Sequence, residues 1–249
     1  MVHAIRGVNI SLEKGKTAAI VGESGSGKST IGRAVIRLYD PTDGKIIFEG
    51  KDISKKKLDK ETRTMLRHDM QMIFQDPMAS LNPRKKVEDI IGEGLDIHHS
   101  YKTMEERDEK IKAILKKVGL APDQAQVVNL MKDIQEETGT ALLFIAHDLS
   151  MVKYISDRIG VLHLGHMLET GTTDEIFNNP IHPYTRALLS AIPTPNPIVE
   201  KKRIAMEYNY KTSGIDYNKG TPHNVAGTHY VSCTDEEFVQ WTNDSGHTL

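Results

Sequence analysis

Residues 18–31 read Ala18-Ala-Ile-Val-Gly22-Glu-Ser-Gly-Ser-Gly-Lys28-Ser-Thr30-Ile31. A short apolar run meets a glycine-rich turn, and beyond it Ile31, Ala34, Val35 and Leu38 recur at helical spacing. The order strand, loop, helix is the context in which the eight positions from Gly22 to Ser29 have a phosphate-binding mechanism. Glycines let the backbone turn tightly enough for successive N–H groups to face phosphate oxygens, and the helix start adds its positive dipole end. The candidate nucleotide-binding residues are therefore Gly22, Ser24, Gly25, Ser26, Gly27, Lys28, Ser29 and Thr30. Lys28 supplies a mobile cation for the terminal phosphates of ATP, and the Ser29 hydroxyl is placed to ligate Mg2+.

Working outward, the spacing predicts a helix over residues 29–38 and a β-rich run over 45–49 behind the Asp43-Gly44 turn, an antiparallel strand near the first one. Residues 70–74 read as a further short apolar strand. From 87 to 120 the pattern is helical and highly charged, closing on Gly119. An amphipathic helix over 126–137 precedes a buried-type strand over 141–146. A helix near 149–156, a strand over 159–164 and a helix near 173–177 follow. This alternation argues for an α/β fold of the P-loop NTPase kind: a parallel sheet with helices on both faces, an antiparallel β edge near the N-terminus and a helical insert. The expected organisation is 1–86 and 124–197 as halves of the nucleotide-binding core, 87–123 as a helical subdomain remnant, and 198–249 as a polar appendage. That last stretch shows no convincing apolar period and reads as loosely folded or docked elsewhere.

The bulk numbers exclude several classes. With 27% charged residues and a net charge of −2 across 249 residues, nothing marks the chain as a nucleic-acid binder. The single Cys233 rules out an internal disulfide framework and fits a reducing compartment. No apolar run reaches the length of a membrane span, so work at a membrane would require docking on a partner.

Further along, Met72-Ile-Phe-Gln75-Asp-Pro-Met-Ala-Ser-Leu-Asn-Pro-Arg84 resembles the Q-loop of ATP-binding-cassette (ABC) ATPases, in the form typical of oligopeptide and dipeptide transporters. Leu142-Leu-Phe-Ile-Ala-His147-Asp148 is similar to the family's switch-histidine segment. Asn179-Pro-Ile-His-Pro-Tyr-Thr-Arg186 resembles a stretch of the peptide-importer branch. The resemblance implies that Gln75 serves the Mg2+ and attacking-water site and that His147 senses the γ-phosphate. It implies as partners the membrane permease subunits, a second ATP-binding subunit and, indirectly, an extracellular peptide-binding protein, with the chain at the cytoplasmic face of the membrane. Some members carry a cysteine-rich cluster in the tail, which Cys233 alone cannot build.

Two family elements are missing from the sequence: the Leu-Ser-Gly-Gly-Gln signature and the apolar strand ending in Asp-Glu. The chain runs from Asp123 into Gln124 as though several dozen residues had been excised. The missing strand should lie beside residues 141–146 and leave an unpaired apolar edge. The aromatic that stacks on adenine in the family has only His3 near its place. Loss of the signature and the Asp-Glu pair implies ATP grip with compromised cleavage, because phosphoryl transfer depends on positioned charge. The alternative is a catalytically inactive nucleotide-binding interaction module, or the product of a shortened gene.

Overall fold

The computed structural model describes residues 4–74, 85–118, 124–146, 149–192 and 205–244, with no description of the side chains of 117, 118, 124–130 and 150. They form two compact units, one joining the N-terminal 32 residues to the chain from Met131 onward, the other made of Arg33–Leu130.

The first unit is organised by strand β1, Thr17–Val21, whose five residues are all buried. It pairs in parallel with β4, Leu142–Ala146, on one side and with β5, Arg158–His163, on the other. From β5 the sheet continues through β6 (His166–Thr172), β8 (His229–Cys233) and β7 (Thr221–Ala226), all antiparallel to their neighbours. The sheet is thus mixed rather than wholly parallel. A two-residue turn joins β5 to β6, with Leu164 and Gly165 both at positive φ, 47° and 81°. That turn twists in the sense that suits a tight hairpin, so no crossover helix is needed and the chain reverses direction.

Helices pack on one face. α6 (Leu149–Ile155), α7 (Thr173–Asn178) and α8 (Pro183–Ser190) contribute Leu149, Val152, Ile176 and Tyr184 against Ala19, Val21, Ile159, Val161 and Leu168 of the strands. The start of α7 is fixed by a reciprocal capping box, Thr172 with Glu175. Alternate strand residues, Ala18, Ile20 and Gly160, border a cleft of about 990 Å³.

Of the two readings of the C-terminal stretch, loosely folded or docked elsewhere, the first is corrected by the structure. β7 and β8 extend the main sheet, and α9, Asp235–Asp244, buries Trp241 against Ile181, Val231 and Cys233. The apolar residues were too widely spaced in a polar background to show a period. A few large side chains at alternate positions nevertheless suffice when a neighbouring sheet edge is available.

The second unit is largely helical. The first helix, α1 (Lys28–Val35), runs into it and ends three residues short of the expected Leu38. β2 (Ile47–Phe48) pairs with β3 (Lys51–Asp52) in a two-stranded sheet of its own, instead of flanking β1. α2 spans Lys60–Asp69, capped by Asp59, whose side chain accepts from the Thr62 N–H at 2.7 Å. The strand expected over 70–74 does not form: residues 71–74 have no ladder partner among the described residues, and Ile73 is 75% exposed. A short apolar run becomes a strand only where a neighbouring strand offers it hydrogen bonds. The charged stretch folds as two helices, α3 (Val87–Ile97) and α4 (Met104–Val118), joined by a bidentate Arg107–Asp96 pair at 2.6 and 2.9 Å. The expected closing Gly119 lies outside the described residues. α5, Gln124–Thr138, leads back to the sheet, where Gln135 Nε2 donates to Thr17 Oγ1 at 3.1 Å. No helix among the described residues is long and apolar enough to cross a membrane.

Candidate functional site

The C-terminal ends of β1 and β4 lie level, with Val21 opposite both Ala146 and Val161, and β5 runs on two residues to His163. In parallel sheets this end collects ligand groups, because the helices that follow present their N-termini there. Residues 22–27 leave β1 at that end and curl into α1, which starts at Lys28.

Two glycines are required by the path of this loop. Gly22 has φ 147°, and a Cβ there would lie 2.0 Å from the Leu162 carbonyl oxygen of β5. Gly27 has φ 106°, and its Cβ would meet the Ala4 oxygen at 2.7 Å. The loop is held from outside and within. The Gly165 N–H donates to the Ser26 carbonyl at 2.9 Å, and the Ser26 N–H donates to the Glu23 carbonyl at 3.2 Å. The Glu23 N–H donates to the Tyr184 hydroxyl at 3.0 Å.

Lys28 is buried, and its ammonium donates to the Gly22 and Glu23 carbonyls, both at 2.7 Å, and to Ser26 Oγ at 3.2 Å. Burial lowers its pKa from the ordinary lysine value, while the Glu23 carboxylate opposes the shift. The cation is therefore held over the loop by weak, neutral acceptors that a polyanion can outcompete. Ser24 and Gly25 are exposed at the tip, Ser29 is exposed on the first turn of α1, and Thr30 is half-buried beside it. The first N–H groups of an α-helix have no intrahelical acceptor. Together with Lys28 they form a cradle suited to a triphosphate.

The structure therefore brings together the eight candidate residues from Gly22 to Thr30. Gln75 and His147 lie outside the described residues, as do His3, Asp148 and the junction residue Asp123. β4 itself forms as expected, up to Ala146.

Sequence reasoning missed the buried polar layer behind the loop. Tyr184 is stacked on His163, ring centroids 4.2 Å apart, and His163 Nδ1 lies 2.7 Å from the Tyr217 hydroxyl. Glu169 is fully buried and accepts from the Ile181 and His182 N–H groups at 2.7 and 3.0 Å, with His229 Nε2 also at 2.7 Å. It pins the Pro180–Pro183 turn, and so α8, to β6 and β8. The Asn179-to-Arg186 motif was visible, but its partners are strand residues and C-terminal residues far away in sequence.

Comparison with known proteins agrees with this geometry. The family description "ABC transporter" matches residues 5–176. The chain is a member of the ABC transporter family. A second description, "Oligopeptide/dipeptide transporter, C-terminal region", matches residues 168–213. The chain is 43% identical to the oligopeptide transport ATP-binding protein OppF of Bacillus subtilis (strain 168), over 95% of this chain and 92% of the relative. It is 44% identical to the dipeptide transport ATP-binding protein DppF of Lactococcus lactis subsp. cremoris, over 94% and 88%. The OppF alignment runs over 281 positions, more than the 249 residues of this ABC chain, so the relative carries residues without counterpart here. Among solved structures, cbiO1 of Clostridium perfringens, part of the ABC transporter complex cbiONQ, superposes with TM-score 0.60 at 21% identity, over 70% of this chain and 84% of that one. The ATP-binding cassette MJ0796 in a post-hydrolysis dimer bound to ADP and Pi gives TM-score 0.59 at 21% identity, over 69% and 91%. These two establish the fold.

Proposed function

We propose that this chain is the ATP-binding subunit of a peptide importer, docked on permease subunits at the cytoplasmic face of the membrane and paired with a second ATP-binding subunit. The observation that carries the reading is the preshaped phosphate loop, with its buried Lys28, in a chain of this family whose relatives are named as peptide-transport ATP-binding proteins.

The loop N–H groups of residues 24–30 and the Lys28 ammonium would hold the β- and γ-phosphates of ATP. Ser29 and Gln75 would hold Mg2+, and His147 would sense the γ-phosphate. When bound, Mg2+ neutralises charge that develops on the phosphoryl oxygens. The chain's own part is to bind and orient: the glycine turns fix the N–H groups, and the Lys28 ammonium moves from two carbonyls to the phosphates. Residues 87–123 would be what remains of the helical subdomain.

Binding and cleavage separate in this reading. The signature and the Asp-Glu strand are absent from the sequence, and the excess length of the OppF alignment fits their loss between Asp123 and Gln124. Without the carboxylate that polarises water, intrinsic turnover falls by several orders of magnitude. That absence favours the second reading, a nucleotide-holding interaction module on the transporter.

ATP titration of the purified chain, with and without Mg2+, against Lys28→Ala is the test. Micromolar binding that K28A weakens by about 30-fold or more, roughly 2 kcal/mol for a lost charged contact, supports the reading, and equal affinity removes it.

A further inference from the structure

The peptide plane between Gly22 and Glu23 is held at both ends. Its carbonyl, Gly22 O, accepts from the Lys28 ammonium at 2.7 Å, and its N–H, on Glu23, donates to the Tyr184 hydroxyl at 3.0 Å. Tyr184 is 161 residues away in sequence and 1% exposed. Its ring is stacked on His163, the last residue of β5, at 4.2 Å and an interplanar angle of 23°. Behind it, Tyr217 places its hydroxyl 2.7 Å from His163 Nδ1 and 2.8 Å from the Tyr208 hydroxyl. Tyr208 also meets the Tyr184 ring edge-on at 5.4 Å. Burial holds the His163 imidazole below its ordinary pKa and the Tyr184 and Tyr217 phenols above theirs, so all three are neutral at pH 7. A buried phenol locked by packing on every side is a rigid acceptor, and a rigid acceptor removes rotational freedom from the loop peptide before any ligand arrives.

We propose that Tyr184 is a positioning residue for the phosphate loop, and that the C-terminal segment carrying Tyr208 and Tyr217 tunes the loop's grip on a triphosphate by holding Tyr184 in place. The inference rests on the reading of residues 22–30 as the ATP site. It gives the C-terminal segment a second task beyond completing the sheet: nucleotide affinity depends on a layer that the loop sequence does not contain.

Tyr184→Phe keeps the ring and removes only the acceptor. It is expected to raise the Kd for ATP about three- to tenfold, the loss of one hydrogen bond, and to raise deuterium uptake of peptides covering 22–30 without nucleotide. Uptake across β7 and β8 stays unchanged. Tyr217→Phe, which leaves the Glu23 bond intact, shifts the Kd about twofold in the same direction. Unchanged uptake over 22–30 in Y184F overturns the proposal, as does equal loosening of the loop and of β7 and β8, which would make Tyr184 a packing residue only. If Y184F does not fold, loop uptake in Y217F decides by the same criterion. Failure of both the unaltered chain and K28A to bind ATP would remove the ATP reading, while the exchange result without nucleotide would still decide the role of Tyr184.

Discussion

β1 and β4 run side by side in register, Ile20 opposite Ile145, yet all five residues of β1 are buried and all five of β4 are only half-buried. Composition does not explain this, since Leu-Leu-Phe-Ile-Ala is the more apolar of the two. Position does. β1 has β4 and β5 as neighbours, whereas β4 pairs with β1 alone among the described residues. On the β5 flank the sheet gains three more strands, two of them from the C-terminal stretch. On the other flank β4 is the edge strand among the described residues. Burial in a sheet is conferred by neighbours on both sides, so a strand paired on one side only stays half-buried beside one that is paired on both.

The contrast can be broken most forcefully by filling the gap. Inserting a relative's signature and Asp-Glu strand between Asp123 and Gln124 is expected to raise ATP turnover by about a hundredfold to a thousandfold, read by phosphate release. No gain would mean that the missing segment is not what limits cleavage.

The closed flank predicts the next largest effect. Trp241→Ala removes a ring buried against Ile181, Val231 and Cys233 and is expected to cost about 3–5 kcal/mol in urea unfolding. A loss under about 1 kcal/mol would show that the C-terminal stretch is an ornament rather than part of the sheet.

A matched pair sharpens the comparison directly. Ile20→Ala, at 1% exposure, should cost about 3 kcal/mol, and Ile145→Ala, directly opposite but half-buried, about half as much. Equal losses in denaturant titrations would show that the β4 edge is covered.

Near neutral pH the smallest effect is a pH dependence on the closed flank, which grows as the pH falls. Burial depresses the His182 pKa from 6.5 to about 3, its Nδ1 accepting from the Tyr184 N–H and its ring meeting Trp241 edge-on at 4.9 Å. The folded state keeps this histidine neutral while the unfolded chain binds a proton below pH 6.5. Stability from this group is therefore full above about pH 6.5 and is lost as pH falls toward 3, at about 1.4 kcal/mol per pH unit. His182→Asn, which can still cap α8, should flatten that part of the stability profile measured by thermal melting.

Much of this was legible in the sequence. The glycine-rich loop, β1, β4, the strand over 159–164 and the helix near 173–177 all follow from local pattern, and family membership follows from the segments around Gln75, His147 and Asn179. The failures share a cause. The apolarity of residues 70–74 predicts a strand, and the polarity of the C-terminal stretch predicts an appendage that is loosely folded or docked elsewhere. In both places the outcome depended on whether a partner edge was present, and that is not a property of the segment.

The sequence by itself determined the glycine-rich loop between β1 and α1, because its glycines, Lys28 and Ser29 act over fewer than ten consecutive residues. It also determined what is missing, since an absent signature cannot be supplied by folding. Only the tertiary structure decided that Tyr184 reaches the Glu23 amide, that Glu169 ties α8 to His229, and that the C-terminal stretch closes one side of the sheet while β4 borders the other. Those outcomes rest on buried contacts between residues more than 50 positions apart, where packing and desolvation, not local propensity, set the free energy.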